Sequence, residues 1–108
     1  MEPILVITTC EKKEDAEMLA NSVLNKRLGA CVQIYSGIHS NYWWKGEIVQ
    51  DSELIVSIKS CKEKYRELEQ LLLGNHPYEV PEIISLRIDE VSAAYLLWMK
   101  EEMGIKEK

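Results

Sequence analysis

Glycine, cysteine and clustered basic residues are in short supply in this chain, and each shortage removes a class of function. Its 108 residues include five glycines spread widely, so no phosphate-cradling loop or dinucleotide fingerprint can be placed. Three cysteines, Cys10, Cys31 and Cys61, are an odd number without a C-x-x-C pair. That pattern suits a reducing compartment better than a disulfide framework, and the cytoplasm is the expected location. Thirteen basic residues stand against 18 acidic ones, for a formal charge of -5, and the basic residues form no stripe. A nucleic-acid partner is not expected. The apolar run Ile4 to Ile7 is too short for a signal peptide or a membrane span, so no membrane partner is expected either. Linkers, internal repeats and low-complexity segments are absent. With 46% hydrophobic residues, one domain over residues 1–108 with a modest core is the expectation.

What the chain does have is a pair of long β-type runs, Cys31 to Trp43 and Glu47 to Lys59, joined by Trp44-Lys45-Gly46. At roughly 3.3 Å per residue each arm spans on the order of 40 Å, well beyond a usual strand. A domain of this size cannot cover such a hairpin from end to end, so the tip carrying Tyr42, Trp43 and Trp44 must project. A two-residue turn at Lys45-Gly46 would pair Ile34 with Ser57 and mix apolar with polar residues on each face. A three-residue loop instead sets Val32 opposite Ile58, Ile34 opposite Val56 and Ser36 opposite Leu54, which predicts one largely apolar face. The other face then carries Gln33, Tyr35, His39, Glu53, Ser57 and Lys59. Gly37 is the position where a bulge would break this register.

Around the hairpin the remaining elements follow from periodicity. Ile4 to Thr9 reads as a buried strand. Ala16, Leu19, Ala20, Val23, Leu24 and Leu28 recur at helical spacing, and Gly29 is placed at the helix end. Tyr65, Leu68, Leu71 and Leu72 mark a second helix, with Lys62, Glu63, Arg66, Glu67 and Glu69 outward, ending near Gly74-Asn75. Two prolines exclude helix from His76-Pro77-Tyr78-Glu79-Val80-Pro81, which becomes an ordered connector. Glu82 to Ile88 alternates as a fourth strand. Ser92 is placed as the cap of a last helix with Tyr95, Trp98, Met99 and Met103 on one face. The predicted fold is α+β, a ferredoxin-like β-α-β-β-α-β with a C-terminal helix: an antiparallel sheet with helices on one side and a long β2-β3 hairpin.

The motifs Tyr42-Trp43-Trp44-Lys45-Gly46, Ala30-Cys31, Asp51-Ser52-Glu53, His76-Pro77-Tyr78-Glu79-Val80-Pro81 and Tyr95-x-x-Trp98, with Thr8-Thr9 closing the first strand, together resemble the CutA divalent-cation tolerance proteins from about Ile4 to Glu102. The resemblance implies a homotrimer related in architecture to the PII signalling proteins, tied to tolerance of copper and other divalent cations, without settled enzymatic activity. Physical reasoning independently calls for a partner. Two Trp and a Tyr bury about 150 to 250 Å² each when covered, on the order of 10 kcal/mol at roughly 25 cal/mol per Å² before association costs. Tyr42, Trp43, Trp44, His39 and Trp98 are the expected trimer-interface residues.

For metal, two histidines and three thiols offer no i, i+3 or i, i+4 pair, so any site must be assembled from distant segments or different subunits. His76 is the best single candidate, with Glu79 close in sequence, against the plainer role of a loop histidine bonded to backbone. The resemblance adds Cys31, at the family's cysteine position, and also shows a gap: some members present cysteine where this chain has Thr8 and histidine where it has Asn75. Copper or zinc binding through His76, Cys31 and Glu79 is therefore expected to be weak or indirect. The competing reading is a PII-like sensor that holds a small anionic ligand in an intersubunit pocket of Glu53, Lys59 and Tyr78. Cys10, after the first strand, is expected to be exposed. No nucleophile-base-orienter set is recognisable, and no enzyme is expected.

Overall fold

The computed structural model describes residues 1–106. Its elements are β1 (Pro3–Cys10), α1 (Lys13–Asn25), β2 (Cys31–Trp44), β3 (Glu47–Cys61), a 3-10 turn (Lys62–Lys64), α2 (Tyr65–Asn75), β4 (Ile84–Arg87) and α3 (Ala93–Glu102). The four strands form one sheet in the order β2-β3-β1-β4, with every neighbouring pair antiparallel. This is the ferredoxin-like arrangement expected from the alternation of patterns. The hairpin of 14- and 15-residue strands draws the molecule out to 51 × 25 × 22 Å.

Alternation decides what each sheet face carries. Ile4 and Val6 of β1 and Val56 and Ile58 of β3 point to one side, where Ala16, Leu19 and Val23 of α1 and Leu68 and Leu72 of α2 close the core. The chain leaving α1 runs very near the sheet. A Cβ on Gly29 would lie 2.7 Å from Ile58 Cγ2 and 2.9 Å from Val23 Cγ1, so this glycine permits close approach. It does not end the helix. That role falls to Arg27, at φ 54, with Leu28 N–H returning to the Val23 carbonyl at 3.0 Å. At the other end of the chain, Ser92 precedes α3 but makes no side-chain capping bond.

Two expectations about the hairpin need correcting together. Val32 does face Ile58 and Ile34 does face Val56, but the register shifts between Tyr35 and Ile38, after which Ile38 faces Glu53 and Trp44 faces Glu47. The loop is therefore two residues, Lys45 at φ 50 and Gly46 at φ 83, and Ser36 is not paired with Leu54. The bulge at Ser36-Gly37, with Gly37 at φ 77, absorbs the odd residue that a three-residue loop would otherwise have taken up. It also reverses which way the outer arm points. His39, opposite Ser52, lies on the other side from Tyr35 and Glu53 and does not share their face.

The sheet face turned away from α1 and α2 is only partly covered. Across it, Leu86 adjoins Leu5 and Ile84 adjoins Ile7, while Ile55 sits between Thr9 and Tyr35. Tyr35, Ile84 and Leu86 remain 49%, 47% and 47% exposed. β4 is shorter than the alternation of 82–88 suggested, and all four of its residues are exposed. The third helix stands off the α1–α2 layer, at the Cys61 end of the sheet, where Met99 and Met103 pack with Cys61.

Candidate functional site

The connector after α2 is organised by His76. Its backbone N–H donates to the Leu72 carbonyl at 2.9 Å, which fixes the start of the connector, and its ring then turns back over the end of β1. Nε2 lies 2.8 Å from the Thr9 carbonyl, and Nδ1 accepts the Tyr78 N–H at 3.1 Å. A carbonyl can only accept, so Nε2 carries the proton and Nδ1 the lone pair. Both ring nitrogens are engaged by backbone. The ring also packs on Tyr78, with centroids 4.8 Å apart, and Nε2 comes within 3.9 Å of Cys10 Sγ.

Tyr78 extends this network into the sheet by donating its phenolic proton to Glu53 Oε2 at 2.8 Å. Glu53 is buried at 8% exposure. Burial and then the Glu53 bond push the Tyr78 pKa upward, and burial, followed by the charges of Asp15 and Glu53, pushes Cys10 up to about 11. Cys10 is wholly buried, contrary to its expected exposure, because it faces the core side of β1 with Ile4 and Val6. A protonated, enclosed thiol is a poor nucleophile and a poor ligand.

Lys59 occupies the same side of β3 as Glu53, six residues further along. At about 3.3 Å per residue that is roughly 20 Å, so a single chain joins Glu53 and Tyr78 but does not bring Lys59 to them. The ammonium of Lys59 bonds Gln33 Oε1 at 2.8 Å and lies 5.6 Å from the centre of the Tyr95 ring, which in turn packs on Trp98 at 5.3 Å. It has no carboxylate partner among the described residues. Trp98 stays 39% exposed beside it.

At the far end of the hairpin, the Tyr42 hydroxyl bonds the Asp51 carboxylate, and this acceptor raises the Tyr42 pKa to about 12. Lys45 Nζ sits 5.7 Å from the Trp44 ring centre. Trp43 is 71% exposed, and its cross-strand neighbour Ile48 is also uncovered. His39, with Ser40, Asn41, Gln50, Asp51 and Ser52, lines a shallow polar depression on the arm.

A metal ion does not find a ready site of the predicted kind in one chain. Among the described residues no three His, Cys, Asp or Glu side chains are grouped to hold one. His76, Cys31 and Glu79 therefore do not form a ligand set here: the ring of His76 is committed at both nitrogens, Cys31 is half-buried opposite Lys59, and Glu79 is exposed. Thr8 Oγ1 is buried without a hydrogen-bond partner among the described residues. Sequence reasoning missed the contact of Cys10 with His76 and the packing of Cys61 with methionines. Only the i, i+4 spacing of Met99 and Met103 hinted at the latter. No described helix is long and apolar enough to cross a membrane.

Comparison with known proteins agrees with this architecture. The family described as CutA1 divalent ion tolerance protein matches residues 4–102. The divalent-cation tolerance protein CutA of Thermotoga maritima is 42% identical over 100 residues, covering 93% of this chain and 98% of its own. Among solved structures, CutA1 from Oryza sativa superimposes with a TM-score of 0.91 at 37% identity, covering 94% of each chain. The divalent cation tolerance protein of Thermus thermophilus does so with a TM-score of 0.90 at 37% identity, covering 93% of this chain and 97% of that one.

Proposed function

Because this chain belongs to the CutA1 divalent ion tolerance protein family, we propose that it acts in divalent-cation tolerance as a cytoplasmic homotrimer whose ligand-binding positions are completed between subunits. The observation that carries this reading is the uncovered sheet face. Leu5, Ile7, Ile55, Tyr35, Ile84 and Leu86 run across all four strands, continuous with the outer hairpin, and a contiguous apolar patch of this kind marks an interaction surface. Copies packed on it would cover Trp98 and the tip residues Tyr42, Trp43 and Trp44, and would protect the long free edge of β2. A trimer in place of the commoner dimer follows the resemblance. Three free cysteines suit a reducing cytoplasm.

Copper or zinc, in this reading, meets the trimer weakly through residues of more than one subunit, since His76, Cys31 and Glu79 are not gathered within one chain. Lys59 favours a second reading. An ammonium without a carboxylate among the described residues, on the same face as the buried Glu53–Tyr78 pair, is placed to receive a small anionic effector when a neighbouring chain brings the two ends of that face together. In both readings the proposed role is binding and not turnover.

Calorimetry of the purified protein with copper, zinc and a panel of organic anions separates the two. Metal binding lost in His76→Ala supports the cation reading. Metal silence with anion binding lost in Lys59→Ala supports the effector reading, and neither signal would leave a scaffold.

A further inference from the structure

Lys59 is a half-buried ammonium whose partners, Gln33 and the Tyr95 ring, are both neutral. Acidic residues outnumber basic ones in the chain by 18 to 13, yet among the described residues none pairs with it. The carboxylate on its face, Glu53, is six residues along β3 and already bonded to Tyr78. Lysine can only donate, so it meets the Gln33 amide at the oxygen, and the Gln33 NH2 group is turned away from it. Gln33 is exposed. One side chain thus orients the other, and the remaining N–H bonds of both are donors that find no acceptor among the described residues.

The wall beside these donors comes from α3. Lys59 Nζ lies 5.6 Å from the Tyr95 ring centre, and Tyr95 packs on Trp98 at 5.3 Å with the two rings tilted by 40°. Trp98 keeps 39% of its surface uncovered. Leu5 stands opposite Lys59 in the β1–β3 register and shares its side of the sheet. A small set of oriented donors therefore opens onto an apolar, aromatic corner, which is the composition of a small-molecule site.

We propose that this corner binds a small aromatic monocarboxylate, with the carboxylate on Lys59 and Gln33 and the ring against Trp98. The inference rests on the effector reading above and gives it a ligand class. The anion is assigned because every free polar group here donates, and a carboxylate accepts from several donors at once. A single charge is assigned because a single ammonium is present: Arg87, on the edge strand, stands opposite Ile4 and so belongs to the other side of the sheet. A polyphosphate would lack counter-charge. The ring is assigned because the indole and the ammonium are linked through Tyr95 by two short contacts, so one small molecule spans both, and a flat group makes the offset or tilted packing that Tyr95 already makes with Trp98. A neighbouring copy packed on this sheet face would close the open side of the corner.

Calorimetry on the full-length protein in its assembled form tests this with hydrocinnamate and three relatives. Hydrocinnamide keeps the ring without the charge, propanoate keeps the charge without the ring, and ATP carries several charges. Hydrocinnamate is expected to bind once per chain and more tightly than all three. Lys59→Met keeps the apolar stem and should weaken it by roughly tenfold or more, the usual loss of a charged hydrogen bond. Trp98→Leu should weaken it by roughly threefold or more, the usual value of an aromatic pair. Lys13→Ala, on an exposed helix position, should change nothing. The ligand series on wild type needs no variant to fold. Propanoate or ATP binding as tightly as hydrocinnamate, with Lys59→Met abolishing it, would overturn the aromatic monocarboxylate and keep the effector reading. Hydrocinnamide binding as well as hydrocinnamate, a Kd unmoved by Lys59→Met or by Trp98→Leu, or no binding of any anion would overturn the site, and the last result would remove the effector reading with it.

Discussion

Tyr78 donates its phenolic proton to Glu53 Oε2 across 2.8 Å, and this single bond ties the proline-bracketed connector to the middle of the longest strand. Glu53 is otherwise a carboxylate at 8% exposure in a sheet. Removing the hydroxyl with Tyr78→Phe leaves that carboxylate short of a donor, so urea unfolding at neutral pH should show a loss of about 1–3 kcal/mol. The pH dependence follows from the raised Tyr78 pKa. A folded pKa above the unfolded one favours the neutral phenol in the folded state, so its contribution is complete below the unfolded value of about 10 and fades as pH rises beyond it. The gap between wild type and Tyr78→Phe should therefore narrow on the alkaline side. A gap that widened there would contradict the assignment.

Gly29→Ala should destabilise the protein by about 1–3 kcal/mol, the usual cost of overpacking. The new methyl would sit 2.7 Å from Ile58 Cγ2 and 2.9 Å from Val23 Cγ1, and both neighbours belong to the main core. Thermal unfolding followed by circular dichroism measures this. An unchanged midpoint would mean that α1 stands further from the sheet.

The hairpin turn offers a change in the opposite direction. Lys45 holds φ at 50 in the first position of a two-residue loop, before Gly46 at φ 83, where asparagine is favoured over lysine. Lys45→Asn should raise stability by about 0.5–1 kcal/mol, and Gly37→Ala, at φ 77 in the bulge, should lower it by about 1 kcal/mol. Amide exchange along β2 and β3 reports both. A three-residue loop would leave Lys45→Asn without benefit.

Much of this architecture was legible because it rests on short-range periodicity. Val32, Ile34, Val56 and Ile58 alternate cleanly, and they pair as the apolar face required. The outer arm was less legible, since its residues are largely exposed on both sides and no buried face enforces the register. The bulge at Ser36-Gly37 could therefore move His39 across the sheet without burying or exposing a large apolar group. Gly29 was misread for a related reason: a glycine after a helical run resembles a helix end, while its actual constraint, the side chain of Ile58, comes from a strand distant in sequence. The connector was placed correctly by its prolines, but the commitment of both His76 nitrogens to Thr9 and Tyr78 depends on contacts that spacing alone does not reveal.

Self-association is the property on which the proposed role depends. In a single chain the sheet face of Leu5, Ile7, Tyr35, Ile55, Ile84 and Leu86 is only partly covered and Trp43 at the hairpin tip is 71% exposed, and in the proposed trimer neighbouring copies cover both. Trp43→Ala with Trp44→Ala should accordingly weaken assembly, as read by the concentration at which it dissociates. Sedimentation equilibrium of the wild-type protein at micromolar concentration is the most direct measurement. A mass three times that of the 12.5 kDa chain is the predicted result, and a single stable species at 12.5 kDa would contradict it.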